Sequence, residues 1–445
     1  MGKVESEAEP CPRPPSARLG AALGRLDALI NWERKGRGRM RVTLEPARDL
    51  CARLSDPQRC APAVHVTGTK GKGSVCALVD AGLRAAGLRT GRYTSPHVER
   101  VTERVAIDGR EVEDDLLAEG IERALAAREA ALAEGTPARD ATWFDLLTAA
   151  AWCAFQAARV DWLVVECGMG GRFDSTNTLD GEVSVITGVE LEHTNVLGTT
   201  RAAIAGEKAG IVKPGRALVT ALAEDDEAGA VAARIARELG SPVLRPAWLA
   251  GGERPSIEAR NRALAALVLD ELGRRGHLAR DGRPLSAALL PAPGSAGTRL
   301  PARAELLALG AVPLVLDGAH TPGSAADLMA DLAQGPQGAS GRPLAILGLN
   351  ADKDLPGVLK SLVGRVDRVL ATSVGGALAL PPEPIAEAAR ALGLAAETAA
   401  TPGMALERAR ELVPPGGWIV VLGSLHLAGA IRPLIAPTTT HPAAC

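Results

Sequence analysis

"PAVHVTGTKGKGSV", residues 62–75, runs from an apolar stretch through a glycine-rich turn into residues with helical spacing. A strand, a tight turn and a helix in that order aim several backbone N–H groups and the positive end of a helix dipole at one place, which suits a phosphate. Gly68, Gly71 and Gly73 let the backbone come close, Lys72 adds a mobile positive charge, and Thr69 or Ser74 can reach an accompanying magnesium ion. The stretch departs from the standard phosphate-loop pattern, because Lys72 is followed by Gly73 before Ser74 comes. A plain glycine turn accounts for the glycines but not for a lysine set between two of them.

Two further strand-to-loop stretches stand downstream. In "DWLVVECGMGGRFDSTN", 161–177, a mostly apolar strand ends in Glu166, placed where a magnesium ligand beside a phosphate loop is needed; an acid exposed at a strand end is the plainer alternative. Gly168-Met169-Gly170 does not open a dinucleotide fingerprint, because Phe173 stands where its third glycine belongs. In "VITGVELEHTNVLGTTRAAIAGEKAGIVKPG", 185–215, a strand runs into a polar loop with His193 and then a helix with Lys208. Alone, these read first as a structural histidine and a solvated lysine, with metal binding by His193 the alternative.

Working outward, short runs rich in Val, Ile and Leu recur between longer helical patterns: "ALVTAL", "PLVLDGAH", "LAILGL", "RVLATS" and "WIVVLGS" join those already quoted. Such runs read as buried parallel strands of an α/β architecture. Val75, Leu78, Val79 and Leu83 carry the helical period, with Gly87 as the stop, and the Ala-rich stretch 117–135 reads as helix. "PAPGSAGTRLP", 291–301, has the composition of a linker. The expected organisation is a disordered tail over 1–18, a first α/β domain carrying the glycine turn over 19–296, and a second α/β domain over 297–445.

Composition narrows the function classes. At 445 residues, 47% of them hydrophobic, the chain can build two or three cores. A net charge of −2 and 2% aromatic residues supply neither the field nor the stacking surface for nucleic acid. The basic run "RKGRGRMR", 34–41, is read as a glycine-flexed arm near a substrate entrance or as a solvated turn. Seven scattered cysteines without a C-x-x-C pair argue against disulfides and zinc and fit a reducing cytoplasm. The acidic, proline-rich start is neither signal peptide nor anchor, and the loose acylation match at Gly2 carries little weight. No apolar stretch approaches the roughly 20 residues of a membrane helix, so no membrane partner is expected.

Taken together, the motifs resemble the folylpolyglutamate synthase and dihydrofolate synthase branch of the Mur ligase superfamily, from about residue 20 onward. "HVTGTKGKGSV" is similar to that family's phosphate loop, whose lysine-glycine-serine or -threonine ending accounts for the departure noted above. "YTSPHVERVTERVAIDG" (93–109), "TWFDLLTAAAW" (142–152), "VVECGMGGRFDSTN", "EHTNVLGTTRAAIAGEKAGIVKPG", "LDGAHTPGSA" (316–325), "NADKD" and "GSLHLAGAIR" follow in the family's order.

The resemblance implies a fold and a set of roles. The fold is an N-terminal P-loop-type ATPase domain with a mostly parallel sheet, then a smaller C-terminal Rossmann-like α/β domain, with the active site in the cleft between them. Gly68, Thr69, Gly71, Lys72, Gly73 and Ser74 would bind the ATP phosphates, and Asn261, Arg303 and Asp317 the nucleotide. Ser95, Glu166 and His193 would hold Mg2+. Lys208 stands where relatives carry a carbamylated lysine, with Lys72 and His320 as its catalytic companions. Phe144, Asp145, Phe173, Asp174 and Ser175 match stretches lining the pterin side.

The implied reaction is ATP-dependent ligation of L-glutamate to dihydropteroate or a reduced folate through an acyl phosphate, by a cytoplasmic monomer. The alternatives are a Mur-type ligase for a nucleotide-linked cell-wall precursor and a non-catalytic ATP-binding regulator. Four positions depart from the family: Lys70 stands for asparagine, Glu192 for aspartate, Ala302 for glycine and Thr321 for asparagine.

Overall fold

The computed structural model describes residues 14–31, 43–251, 254–295, 297–335, 338, 340–376 and 378–435. The basic run 34–41 and the acylation match at Gly2 lie outside them. Ala17 and Arg18, placed in the expected tail, already belong to a helix that spans Ala17–Asp27, its first turn capped by the Ser16 hydroxyl accepting from the Leu19 amide at 3.2 Å. The described chain divides into two units. One runs from Pro15 to His97 and from Val101 to Leu300; the other takes Val98–Arg100 and the residues from Pro301 on.

The first unit is organised by β1 (Ala63–Thr67), the apolar start of the quoted stretch. With β2 (Thr90–Tyr93), β3 (Val105–Ile107), β4 (Arg110–Glu111), β5 (Trp162–Glu166), β6 (Gly181–Ile186), β7 (Ala217–Thr220) and β8 (Val243–Leu244) it forms one sheet, ordered β4-β3-β2-β5-β1-β6-β7-β8. From β2 to β8 the pairing is parallel, while β3 and β4 add an antiparallel margin.

Strand residues are apolar on both sides because both sides are covered. Leu163 and Val165 pack with Leu117, Ile121, Leu146 and Leu147 of the helices Asp114–Glu134 and Trp143–Ala158. Val64, Val66 and Val164 pack with Val75, Val79 and Leu83 of Lys72–Ala85 and with Leu264 and Val268 of Ile257–Arg274. Val75, Leu78, Val79 and Leu83, where the helical period is expected, are all buried, but so is every residue from Val75 to Leu83, because this helix is covered nearly all round.

Strand order matters for function. The connection leaving β1 crosses toward β2, whereas the one leaving β6, its neighbour, runs the other way to β7. Adjacent strands whose connections diverge open a crevice beyond their carboxyl ends, where α/β sheets bind ligands.

The second unit carries β9 (Glu305–Leu309), β10 (Val312–Leu316), β11 (Leu344–Leu347), β12 (Arg368–Ala371), β13 (Ala395–Thr398) and β14 (Ile419–Leu422), ordered β13-β12-β11-β14-β10-β9. All pairs are parallel except the β9–β10 hairpin. Both faces are again buried, Val315, Leu347 and Val420 on one side and Leu314, Ile346 and Val421 on the other. Among the described residues no helix is long and apolar enough to cross a membrane.

Candidate active site

The turn between β1 and Lys72–Ala85 is held by the loop leaving β6. The Thr69 amide donates to the Gly188 carbonyl at 2.9 Å, the Thr69 hydroxyl accepts from the Glu190 amide at 3.0 Å, and the Thr187 hydroxyl donates to the Lys70 carbonyl. Gly68 (φ +144°) lies so close to Thr187 that a Cβ there would sit 2.0 Å from the hydroxyl oxygen. Gly71 (φ +85°) precedes the helix, and a Cβ on it would meet Asn261 Oδ1 at 2.6 Å. The amide of Asn261 thus stands against the phosphate turn. Thr187, which the sequence reading passed over, braces that turn; its one signal is a threonine at the end of an otherwise apolar strand.

Lys72 opens the helix and reaches back to the adjoining strand. Its Nζ is 3.5 Å from Oε1 of Glu166, the last residue of β5, which is 3% exposed. Oε2 of Glu166 accepts from the Ser95 amide at 3.2 Å. The Ser95 hydroxyl is itself buried with no hydrogen-bond partner among the described residues. A buried hydroxyl left unpartnered beside a buried carboxylate suits a hard, oxygen-preferring cation. A Cβ on Gly73 would come within 3.1 Å of Glu166 Oε2, so glycine leaves that carboxylate its space. Ser74 follows in the first helical turn.

His193 stands at φ +54° just before the short helix Thr194–Leu197, with Nε2 3.8 Å from Glu192 Oε1. Among the described residues, no three His, Cys, Asp and Glu side chains cluster to hold a metal. Lys208, in the helix Arg201–Ala209, is buried. Burial, reinforced by the positive charge of Lys72 and opposed by Glu192, Cys167 and Asp174, lowers its ammonium to about 8. The lysine that pairs with Glu166 is therefore also felt at Lys208.

The pterin-side candidates form a second group. Asp145 closes the capping box that starts the helix Trp143–Ala158 and accepts from the Ser175 hydroxyl at 2.6 Å. Phe144 is half-buried, 6.2 Å from the Tyr93 ring, and a Cβ on Gly168 would strike it at 2.5 Å. Asp174 is buried and accepts from the Met169 amide at 2.8 Å and from the amide and hydroxyl of Thr176. Phe173 projects outward, 41% exposed.

In the second unit, Asp317 ends the run that begins with β10. Its oxygens accept from the Ala304 and Ala319 amides, each at 2.7 Å. Arg303 donates to the Ala302 carbonyl at 3.1 Å, and His320 Nδ1 donates to the Gly318 carbonyl at 2.7 Å. Ala302 and Ala304 flank Arg303 at φ +53° and +47°, left-handed conformations that favour glycine, the residue relatives place at 302. Thr321 caps the helix Pro322–Gln334 in a reciprocal box with Ser324, a task that needs no asparagine.

Comparison with known proteins shows the family. Residues 302–425 match the family model of the Mur ligase glutamate ligase domain. The dihydrofolate synthase/folylpolyglutamate synthase of Mycobacterium tuberculosis is 32% identical over 84% of this chain and 79% of its own length. The folylpolyglutamate synthase of Lacticaseibacillus casei is 33% identical over 85% and 91%.

The chain belongs to the folylpolyglutamate synthase/dihydrofolate synthase family.

It is an ATP-dependent ligase that forms amide bonds. A bifunctional folylpolyglutamate synthase/dihydrofolate synthase solved with Mn, AMPPNP and L-glutamate bound is 30% identical, with a TM-score of 0.77 over 96% of this chain and 99% of its own. The two-sheet α/β fold expected from the sequence is thus that of the family, and the glycine turn, Lys72, Glu166, Ser95 and Lys208 all lie in its first unit.

Proposed function

We propose that this ligase joins L-glutamate to the carboxylate of a pteroate or folate, using ATP and a divalent metal. The observation that carries the reading is the pairing of Lys72 with Glu166 at the mouth of the glycine turn, 3.5 Å apart. One residue pair then serves both phosphate charge and metal binding. A carboxylate oxygen of the acid attacks the terminal phosphorus of ATP, giving an acyl phosphate and ADP. The glutamate amine then attacks the acyl carbon, phosphate leaves, and the nitrogen gives up a proton.

The chain's contribution is placement and charge. Gly68, Thr69, Gly71, Gly73 and Ser74 present backbone and hydroxyl groups to the phosphates, and Lys72 follows the moving negative charge. Ser95, Glu166 and His193 would hold the metal, which supplies Lewis-acid neutralisation of the transferring phosphoryl group when bound. Lys208 is well placed to exist as a carbamate: burial and Lys72 lower its pKa to about 8, which raises the share of neutral, nucleophilic amine at neutral pH far above that of an ordinary lysine. Asn261, Arg303 and Asp317 would contact the nucleotide, His320 would lie near the reacting groups, and Phe144, Asp145, Phe173, Asp174 and Ser175 would border the pterin. The protein acts as a monomer.

Phosphate release from ATP is measured with magnesium and L-glutamate, in parallel with dihydropteroate and with tetrahydrofolate, and products are weighed. A product heavier by one glutamyl residue from either acid is expected, and from both acids if the enzyme is bifunctional. Phosphate release with neither acid, in protein that binds ATP, overturns the reading.

A further inference from the structure

Behind the phosphate turn, on the strand that feeds it, His65 is wholly buried. Its Nε2 is 2.9 Å from the Thr176 hydroxyl and 3.1 Å from Cys167 Sγ. Burial drives its pKa down to about 3, so the ring is neutral and carries one N–H. The network decides which nitrogen holds it. Burial raises the pKa of Asp174, but the donors from Thr176 and Met169 oppose that shift, and as a carboxylate it only accepts, taking the Thr176 hydroxyl proton on Oδ1. With that proton given away, the Thr176 oxygen is an acceptor for Nε2–H of His65, and the Cys167 sulfur, 3.1 Å away, is a second. Nδ1, with no partner among the described residues, is left as the bare nitrogen.

This chain of hydrogen bonds is anchored at a junction. Asp174 also takes the Met169 and Thr176 amides, closing the turn 167–176 around one carboxylate. A second tie, from the Thr67 hydroxyl to the Gly170 carbonyl, binds the same turn to β1. On its other side the turn lies against the helix of Lys208: the Arg172 amide donates to the Glu207 carbonyl at 2.8 Å, and a Cβ on Gly171 would meet the Lys208 carbonyl at 2.8 Å. The turn begins at Cys167, directly after Glu166.

We propose that His65 is a positioning residue of the ligation reaction: through Thr176 and Asp174 it locks the turn 167–176, and thereby sets Glu166 and the Lys208 helix against the phosphate turn. Asp174 accordingly commits both oxygens to its own turn. The proposal rests on the ligase reading above for its activity measurements, and on amide exchange for a readout that does not.

The test uses full-length His65→Leu, His65→Gln and Thr176→Val proteins. Glutamine keeps an N–H near the position of Nε2 whereas leucine does not. His65→Leu is expected to lower kcat about tenfold, the scale of one buried hydrogen bond lost from an aligned site, with KM for ATP changed less than about twofold. His65→Gln is expected to recover most of kcat. Because the residues act as one chain, His65→Leu with Thr176→Val is expected to be no slower than the worse single variant. The Met169 and Thr176 amides, protected in the parent, are expected to exchange faster in His65→Leu and Thr176→Val.

Parent-level kcat in His65→Leu, a loss that glutamine does not relieve, or fully additive losses in the double variant would each overturn the proposal. If His65→Leu does not accumulate folded, Thr176→Val against His65→Gln decides by the same kcat and exchange readouts. If the parent itself ligates neither acid, the ligase reading has failed, and unchanged Met169 and Thr176 protection in the variants would still separately reject the network.

Discussion

The ammonium of Lys72 stands 3.5 Å from Oε1 of Glu166, so the residue proposed for phosphate and the one proposed for metal share one ion pair. Both side chains are largely shielded, at 17% and 4% exposure, which keeps the pair from being a mere surface contact. Lys72→Met keeps the stem and removes the charge. It is expected to lower kcat/KM for ATP by about 10²–10³-fold, the usual size of one lost transition-state donor. The melting temperature should fall by no more than about 4 °C. Activity within a factor of about three of the parent would remove Lys72 from the phosphate site.

Lys208 offers a pH test. With its pKa near 8, about one molecule in ten holds a neutral amine at pH 7, against about one in three thousand for an ordinary lysine. Carbon dioxide adds only to the neutral amine, so carbamate formation and bicarbonate-dependent activity should rise as pH climbs through about 8. Carbon-13 NMR of protein equilibrated with labelled bicarbonate reads the carbamate directly. Lys208→Ala is expected to be inactive and partly restored by formate or acetate. An unmodified and dispensable lysine would sink the idea.

The same shift bears on stability. The folded-state pKa lies below the unfolded value, so between about pH 8 and 10.5 the unfolded chain binds the extra proton. The contribution of Lys208 to stability therefore increases across that window and is flat below it. Denaturation of the parent against Lys208→Met, in buffer stripped of carbon dioxide, should show the two curves converging as pH rises from 8 to 10. Parallel curves would contradict the shift.

Gly71 is constrained twice, by φ of +85° and by Asn261 Oδ1 at 2.6 Å from where a Cβ would be. Gly71→Ala is expected to cost about 1–2 kcal/mol from the backbone conformation and to weaken ATP binding at least about tenfold by displacing Asn261 from the turn. Calorimetric titration with a non-hydrolysable ATP analogue measures the second effect, and parent-like affinity would show that Asn261 is not part of the nucleotide site.

Asp317 holds the Ala304 and Ala319 amides, the first of them on a residue forced to φ +47°. Asp317→Ala leaves two donors without their acceptor and should destabilise the chain by about 1–3 kcal/mol in urea denaturation. A loss below about 0.5 kcal/mol would mean that water replaces the carboxylate at no cost.

Much of the fold was legible because parallel strands buried on both faces announce themselves as apolar runs. β1, β5, β6, β7, β10, β11, β12 and β14 all stand where such runs were read. β2, "TGRY", was not read, because Gly91 and Arg92 break the run; a Cβ on Gly91 would strike the Phe155 ring at 2.6 Å, and Arg92 pairs with buried Asp80. The two-residue strands β4 and β8 are too short to show any period.

By itself the sequence suggested a phosphate-binding turn, because that turn is local: consecutive residues of β1, the glycine turn and the following helix carry its geometry in their own backbone preferences, and the order of the motifs along the chain pointed to the family. Only the tertiary structure decided which distant side chains complete it. Glu166 meets Lys72 and Ser95 because β5 pairs with β1 and β2 in parallel register, Val66 opposite Glu166 and Tyr93 opposite Val165. Likewise His65 reaches Thr176 across 111 residues of chain. Hydrogen bonds and ion pairs act over a few ångströms of space, and separation along the chain says nothing of such distances until the sheet is assembled.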